Sequence, residues 1–205
     1  MHKPSVVVFD LGKVLVDFDY RIAADKISHL SRFSAAGVQN LLDHSPLLYQ
    51  FETGLIDTQK FYDEVRAASG FSGSLDEFCG MFADIFFEIK PMTALQAALR
   101  ANHIPTYIFS NTNPLADRHI RARFPFFANF DGYVLSYQCL AMKPDAKIYE
   151  ILENRTEKKG AQILYLDDRP ENVQAGADRG WNAWLHQSPE KTIPVLRQLG
   201  LPIDP

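Results

Sequence analysis

An apolar run near the start of the chain leads directly into a carboxylate and a glycine: Ser5-Val-Val-Val-Phe9, then Asp10-Leu-Gly12. A short β-branched and aromatic run of this kind is typical of a buried strand in a parallel sheet. Groups that directly follow such a strand lie at its carboxyl end, where open parallel sheets bind their ligands. The segment therefore predicts an α/β fold and places Asp10 in a candidate site.

Further runs of the same kind follow, with helical patterns between them. We predict strands at residues 105–109, 163–166 and 182–185, and a shorter strand at 134–135. Helical patterns cover residues 92–101, 145–152 and 171–179. The alternation of strands and helices predicts a doubly wound parallel sheet covered by helices.

The section from residue 20 to 89 has a different character. It shows helical periodicity, almost no strand-like runs, and turn signals at Gly37, Pro46 and Gly54. Ser74 and Glu77 have the spacing of a capping box, which marks a helix start. We therefore predict a helical-bundle cap inserted after the first strand, with residues 18–89 as the cap and residues 1–17 and 90–205 as the core.

The bulk composition excludes several classes of partner. The formal net charge is -4 and the pI is near 5.8, so the chain lacks the basic excess that nucleic acids or anionic membranes attract. No stretch approaches the roughly 20 apolar residues of a membrane-spanning helix. Cys79 and Cys139 are far apart and fit two reduced thiols. We expect a cytoplasmic protein that acts as a monomer or a homodimer, with no nucleic-acid or membrane partner.

Three more segments carry side chains that suit chemistry. Ser110 and Asn111 follow a predicted strand and can bond phosphoryl oxygens, although such residues are also ordinary helix caps. Lys143 stands directly before a helix start. Asp167 and Asp168 end another strand, where two adjacent charges repel unless a divalent cation joins them; a solvated helix cap is the alternative.

The order of these four segments resembles the haloacid dehalogenase-like hydrolase superfamily. The likeness covers nearly the whole chain, and the position of the helical insert is similar to that of the superfamily's first type of cap. Within the superfamily the chain is most similar to bacterial phosphatases that act on α-D-glucose 1-phosphate. The shared segments are Phe9-Asp-Leu-Gly-Lys-Val-Leu-Val-Asp17, Ser110-Asn-Thr-Asn113, Met142-Lys-Pro144 and Phe51-Glu-Thr-Gly-Leu-Ile56.

This resemblance implies a magnesium-dependent phosphatase whose nucleophile is Asp10. The reaction would form an aspartyl-phosphate on Asp10 and then hydrolyse it. Mg²⁺ would be held by Asp10, the carbonyl of Gly12 and Asp168, and Asp167 would orient the metal site.

The remaining implied roles concern the substrate. Lys143 would neutralise charge on the nucleophile and the phosphoryl group, while Ser110 and Asn111 would hold the phosphoryl oxygens. The loop that begins at Glu52 would contact the leaving group and select the substrate. That substrate would be a small phosphorylated metabolite, with a sugar phosphate as the first candidate.

One position departs from the superfamily's usual pattern. Most of its phosphatases carry an aspartate general acid two residues after the nucleophile, where this chain has Gly12. A substrate with a good leaving group would explain the glycine, and Asp17 or Asp19 offers a replacement acid. A dehalogenase or phosphonatase also lacks that aspartate, but the latter needs a cap lysine, for which only Lys26 and Lys60 are available. A catalytically silent binding protein is the third alternative.

Overall fold

The computed structural model of the protein describes residues 4–43 and 45–203. Five of its strands form one sheet, and every strand in it runs parallel to its neighbours. In chain order the strands are β1 (Val6–Phe9), β2 (Val16–Phe18), β3 (Phe86–Glu88), β4 (Thr106–Ser110), β5 (Gly132–Leu135), β6 (Ile163–Asp167) and β7 (Asn182–Leu185). The sheet order is β5-β4-β1-β6-β7, so the apolar run that precedes Asp10 is the central strand.

Helices connect the strands and cover the sheet. They are α1 (Tyr20–Ser28), α2 (Ala35–Leu42), α3 (Pro46–Glu52), α4 (Thr58–Ser69), α5 (Leu75–Ala83), α6 (Lys90–Ala101), α7 (Pro114–Arg123), α8 (Ser136–Cys139), α9 (Ala146–Thr156), α10 (Pro170–Asp178) and α11 (Pro189–Gln198). Among the described residues, no helix combines the length and the apolar character that crossing a bilayer requires.

The central strand β1 is buried on both faces. Val7 and Phe9 point into a hydrophobic cluster built with residues of α6, α7 and α11, whereas Val6 and Val8 point into a second cluster with residues of α9. Alternate residues of a strand face opposite sides of its sheet, so a run without polar residues needs cover on both sides. The predicted doubly wound α/β fold is confirmed.

The helical insert has a hydrophobic cluster of its own. Helices α1 to α5 bury hydrophobic side chains against one another, and the rings of Phe51 and Phe61 stack with centroids 4.3 Å apart. The predicted capping box is confirmed, because the Ser74 hydroxyl and the Glu77 carboxylate each accept a backbone N–H at the start of α5. The division into two domains stays a prediction, although this separate cluster supports it.

Two short strands at the edges of the insert differ from the expectation of an all-helical segment. β2 and β3 pair antiparallel, with Phe18 opposite Phe86. Each strand has only three residues, which is too short to produce a recognisable alternation in the sequence. The pairing places the segment that enters the insert next to the segment that leaves it.

The insert also contacts the core directly, at the turn that ends α3. The Ser136 hydroxyl lies 2.5 Å from the Glu52 carbonyl oxygen and accepts a hydrogen bond of 2.9 Å from the Thr112 backbone N–H. Gly54 has a φ of 77°, and a Cβ there would lie 2.2 Å from the Tyr137 carbonyl oxygen. Only glycine permits this approach of the two backbones.

Replacing Gly54 by alanine should therefore destabilise the protein. We expect Gly54→Ala to lower the free energy of unfolding by about 1–3 kcal/mol, since the left-handed backbone and the clash with Tyr137 both oppose a side chain. Urea denaturation measures the change.

The matched control is Gly80→Ala in α5, where an added Cβ meets nothing within 4 Å. This control should raise the free energy of unfolding by about 0.5–1 kcal/mol, because alanine is the better helix former. A Gly54→Ala variant as stable as the natural protein would contradict the close approach.

Candidate active site

The site is built where three neighbouring parallel strands end. Asp10 follows β1, Ser110 ends β4 and Asp167 ends β6. In the register of the sheet, Phe9 lies opposite Ile108 on one side and Leu166 on the other, so the three strand ends lie at the same edge. The expectation that these segments meet at the carboxyl edge of the sheet is confirmed.

The ammonium group of Lys143 is at the centre of this edge. Its Nζ lies 3.0 Å from Asp10 Oδ1 and 2.6 Å from Asp167 Oδ2, and it also donates to the Phe109 carbonyl oxygen at 2.8 Å. An ammonium has three N–H donors, and each of them has an acceptor here. The Lys143 side chain is 1% exposed, so these contacts are made out of water.

Asp167 is saturated by groups of the protein. Besides Lys143, its carboxylate accepts hydrogen bonds from the Tyr165 hydroxyl, from the Arg169 backbone N–H at 2.8 Å and from Asn172 Nδ2 at 3.1 Å. Its side chain is 0% exposed. With its lone pairs used in this way, Asp167 fixes the position of Lys143 rather than facing the solvent.

The pKa values of this cluster reflect burial and neighbouring charge. Burial raises the pKa of Asp10 to about 7; Lys143 acts against this rise, and Asp167 and Asp168 add to it. Burial would lower the pKa of Lys143, but Asp10 and Asp167 outweigh it and the net shift is upward. Burial opposes ionisation of Asp167, yet Lys143 holds the pKa of that carboxyl below its usual range. The arrangement therefore favours a charged lysine.

Three carboxylates form a group that suits a divalent cation. One oxygen each of Asp10, Asp167 and Asp168 lie within 4.8 Å of one another. Burial, and next the charge of Asp167, raise the pKa of Asp168. A bound cation would offset both effects by stabilising the ionised carboxylate. An all-oxygen donor set is what Mg²⁺ requires. Because Asp167 is already saturated, Asp10 and Asp168 are the better candidates for direct ligands, with the nearby Gly12 carbonyl.

The two residues predicted to hold phosphoryl oxygens have different surroundings. Asn111 Nδ2 donates to the Lys143 carbonyl oxygen at 2.9 Å, and Asn111 Oδ1 accepts from the Lys143 backbone N–H at 2.8 Å. Its side chain thus holds the backbone of Lys143. Ser110 is 2% exposed, and its hydroxyl donates to the Asn111 carbonyl oxygen at 3.2 Å.

A cavity of about 460 Å³ lies between this edge and the insert. Its volume falls within the ordinary range of small-molecule sites. Of the described residues, the core contributes Asp10, Lys143 and Asp168 to the lining, whereas Ser110 and Asp167 do not line it. From the insert the lining includes Tyr20, Gln39, Asp43, Leu48 and Glu52.

Glu52 faces this cavity from the end of α3. Burial raises the pKa of Glu52 to about 7, against the opposing effects of hydrogen bonds from Tyr20 and Asn113 and of the Arg169 charge. The Tyr20 hydroxyl lies 3.5 Å from Glu52 Oε1. The structure thus brings the one predicted cap residue to the same cavity as Asp10 and Lys143.

The position of Gly12 is crowded. A Cβ on Gly12 would lie 2.8 Å from Cε1 of Phe18, whose ring packs against Tyr20 and Phe86. Phe18 therefore fills the space into which a side chain at position 12 would extend.

The two aspartates proposed as replacement acids are held in ion pairs. Asp17 pairs with Lys13, and a hydrogen bond from Lys13 lowers the pKa of Asp17. Asp19 caps α1 and pairs with Arg21, whose hydrogen bonds lower the pKa of Asp19. Both carboxyls are therefore poor proton donors near neutral pH.

Sequence analysis missed several members of the site. Tyr165 stands two residues before Asp167 in β6, and alternate residues of a strand lie on the same face. This spacing could have indicated that Tyr165 lies beside Asp167. Asn172 and Asn113 resemble ordinary residues at a helix start, and no sequence pattern distinguishes their contacts. Tyr20 and Phe18 reach the site only because the insert folds back over the sheet.

Comparison with known proteins agrees with this arrangement. The model of the family of haloacid dehalogenase-like hydrolases matches residues 4–180. The chain therefore belongs to the haloacid dehalogenase-like hydrolases, and the predicted family is confirmed.

Among curated proteins, the chain is 28% identical over 200 residues to the sesquiterpene phosphatase astK of Aspergillus oryzae, covering 95% of this chain and 96% of that protein. The fold is similar to that of a family enzyme of Bacteroides thetaiotaomicron in complex with magnesium and inorganic phosphate, with a TM-score of 0.76, 22% identity, and 90% and 94% of the two chains covered. L-2-haloacid dehalogenase of Xanthobacter autotrophicus matches with a TM-score of 0.64, 18% identity, and 98% and 89% covered.

Removing the ammonium group of Lys143 should destabilise the protein in a pH-dependent way. We expect Lys143→Met to lower the free energy of unfolding by about 3 kcal/mol at pH 8, because Asp10 and Asp167 are left buried without their partner. Without the Lys143 ammonium, the pKa of Asp10 rises further above its unfolded value and the pKa of Asp167 rises above its own. The loss is therefore greatest at high pH and shrinks as these groups become protonated.

Urea denaturation at pH 5 and pH 8 measures this difference. Lys147→Met, at an exposed lysine of α9, is the matched control and should change little at either pH. A loss that is the same at both pH values would contradict the role of charge compensation.

Proposed function

We propose that the protein is a magnesium-dependent phosphatase that hydrolyses a small phosphorylated metabolite through an aspartyl-phosphate on Asp10. The observation that carries this proposal is the buried cluster of Asp10, Lys143 and the paired carboxylates Asp167 and Asp168 at the edge of the sheet. Two relatives add support: one is named a phosphatase, and the other was solved with magnesium and inorganic phosphate.

The contacts of Asp10 fit the role of a nucleophile. Its Oδ1 accepts hydrogen bonds from the Leu11 backbone N–H at 2.7 Å and lies 3.0 Å from Lys143 Nζ. These two contacts fix the carboxylate plane, and we assign the attack on phosphorus to Oδ2. Lys143 stabilises the negative charge that the entering phosphoryl group brings close to Asp10.

Asp10, Asp168 and the Gly12 carbonyl would hold the magnesium ion. When bound, the ion would neutralise the carboxylates and the phosphoryl oxygens and so allow the two anions to approach each other. Asp167 would keep Lys143 and the adjacent Asp168 in position.

The alternative chemistries have less support in the structure. A dehalogenase has no use for a metal-binding carboxylate pair. A phosphonatase needs a lysine of the cap that faces the cavity. Lys26 pairs with Asp84 and Lys60 pairs with Glu64, and neither is among the described residues of the lining. A silent binding protein would have no chemical use for a buried nucleophile with its cation.

The substrate class follows from the part of the cavity that the insert lines. Gln39, Asp43 and Glu52 offer hydrogen-bonding groups that suit the hydroxyls of a sugar phosphate, which is our first candidate. Leu48 and Met142 line the same cavity and suit a hydrophobic organic phosphate. The name of the sesquiterpene phosphatase relative supports this second candidate.

A substrate panel tests the proposal. We expect the protein to release phosphate from sugar 1-phosphates and from an activated aryl phosphate, and we expect both reactions to require magnesium. The rate should fall by at least about 1,000-fold in Asp10→Asn, because an amide cannot form the acyl phosphate. Including sugar 6-phosphates and a prenyl monophosphate separates the two substrate classes.

The fold of Asp10→Asn should be checked by its unfolding curve. Turnover that persists in Asp10→Asn, or in a metal chelator, would contradict the mechanism. Absence of turnover on every ester, aryl phosphate included, would overturn the phosphatase function itself.

Supplying the missing aspartate should not improve the enzyme. We expect Gly12→Asp to lower kcat/KM and to lower the free energy of unfolding by about 1–3 kcal/mol, because its Cβ must displace the Phe18 ring. Gly12→Ala introduces the same Cβ without the carboxyl and should be equally unstable. A Gly12→Asp variant that is more active than the natural protein would contradict this prediction and would show that the Phe18 ring can move aside at little cost.

A further inference from the structure

Without an acid at position 12, a substrate whose leaving oxygen needs a proton requires another group to supply it. An alkoxide is a poor leaving group, and general acid catalysis commonly contributes about 10²–10⁴ in rate. The carboxyl groups that line the cavity, among the residues that the structure describes, are Asp10, Asp19, Asp43, Glu52 and Asp168. Asp10 and Asp168 are already assigned to the phosphoryl and metal side.

Of the remaining three, Glu52 lines the cavity and also contacts both the core and the insert, through Ser136 and Tyr20. Asp19 is the cap of α1 and is held by Arg21 through hydrogen bonds of 2.7–3.0 Å, which keep it ionised. Asp43 follows α2, and its proximity adds to the rise in the pKa of Glu52. Burial raises the pKa of Glu52 to about 7, the range in which one group can both give and take a proton.

The surroundings of Glu52 fix its direction. Its carbonyl oxygen is 2.5 Å from the Ser136 hydroxyl, and the next turn is locked by the approach of Gly54 to Tyr137. Asn113 caps α7 by accepting the Ala116 N–H at its Oδ1, so its amide nitrogen is the end that faces the Glu52 carboxyl. The carboxyl is thus held over the cavity by core and insert together.

We propose that Glu52 is the general acid and base of the reaction, in place of the aspartate that Gly12 lacks. This inference depends on the phosphatase function proposed above. It assigns Glu52 a catalytic task in addition to contact with the substrate.

The proton balance of the two steps is simple. In the first step Asp10 attacks phosphorus, the bond from phosphorus to the leaving oxygen breaks, and that oxygen takes the proton of the Glu52 carboxyl. In the second step Glu52, now a carboxylate, accepts a proton from the water whose oxygen attacks phosphorus. The bond from phosphorus to Asp10 breaks, and the free nucleophile, phosphate and the protonated Glu52 result.

The test compares leaving groups in Glu52→Gln, which keeps the shape and hydrogen bonds of the neutral acid but has no proton to transfer. With alkyl phosphate esters we expect kcat/KM to fall by about 100–10,000-fold. With p-nitrophenyl phosphate, whose leaving group needs no proton, kcat/KM should change by less than about 10-fold. This ester should also release a burst of nitrophenol equal to the enzyme concentration, because the second step still lacks its base.

Glu64→Gln, an exposed glutamate of α4 paired with Lys60, is the matched control and should behave like the natural protein. Unfolding curves show whether each variant is folded. An equal loss of kcat/KM on alkyl and aryl esters, a rise in KM alone, or no loss at all would overturn the proposal. If the natural protein hydrolyses no phosphate ester, the phosphatase function fails first, so the two failures are distinguishable.

Discussion

The ion triplet of Asp10, Lys143 and Asp167 is the constraint on which the site depends. A lone buried charge is costly, and burying three of them succeeds only when each is paired and hydrogen-bonded. Lys143 meets this condition by using all three of its N–H donors, while Asp167 is satisfied by Tyr165 and Asn172 as well. The carboxyl ends of the central strands can therefore present Asp10, the proposed nucleophile, with a fixed counter-charge before any substrate arrives.

The pKa values of the two carboxyls that contact Lys143 shift in opposite directions. Asp167 shares its oxygens among several donors and keeps a lowered pKa, whereas the pKa of Asp10 is raised to about 7. The difference arises because burial is the largest influence on the pKa of Asp10, whereas Lys143 and the hydrogen bonds from Tyr165 and Arg169 outweigh the burial of Asp167. A cation between Asp10 and Asp168 would favour the ionised form of both, so the metal and the nucleophile are coupled by electrostatics.

Much of this could be predicted from sequence because local patterns carry it. The apolar run before Asp10 predicts a central strand, and parallel strands bring Ser110 and Asp167 to the same edge. The pairing of β2 with β3 escaped prediction because strands of three residues show no period. The sequence also did not indicate that the side-chain amide of Asn111 holds the Lys143 backbone, 32 residues away. Such contacts depend on the fold and leave no trace in the spacing of residues.

The close packing of Phe18 at Gly12 connects the β2–β3 pair with the proposed role of Glu52. Phe18 is held by the β2–β3 pair, and a side chain at position 12 would have to displace its ring. In the proposed mechanism, the carboxyl that reaches the leaving oxygen comes from the part of the cavity lining that the insert provides. Glu52 is attached there to the core through Ser136, so the position of the insert and the position of the acid are set by the same contacts. A substrate that holds the insert in place would thereby also align the acid, which joins recognition of the leaving group to its departure.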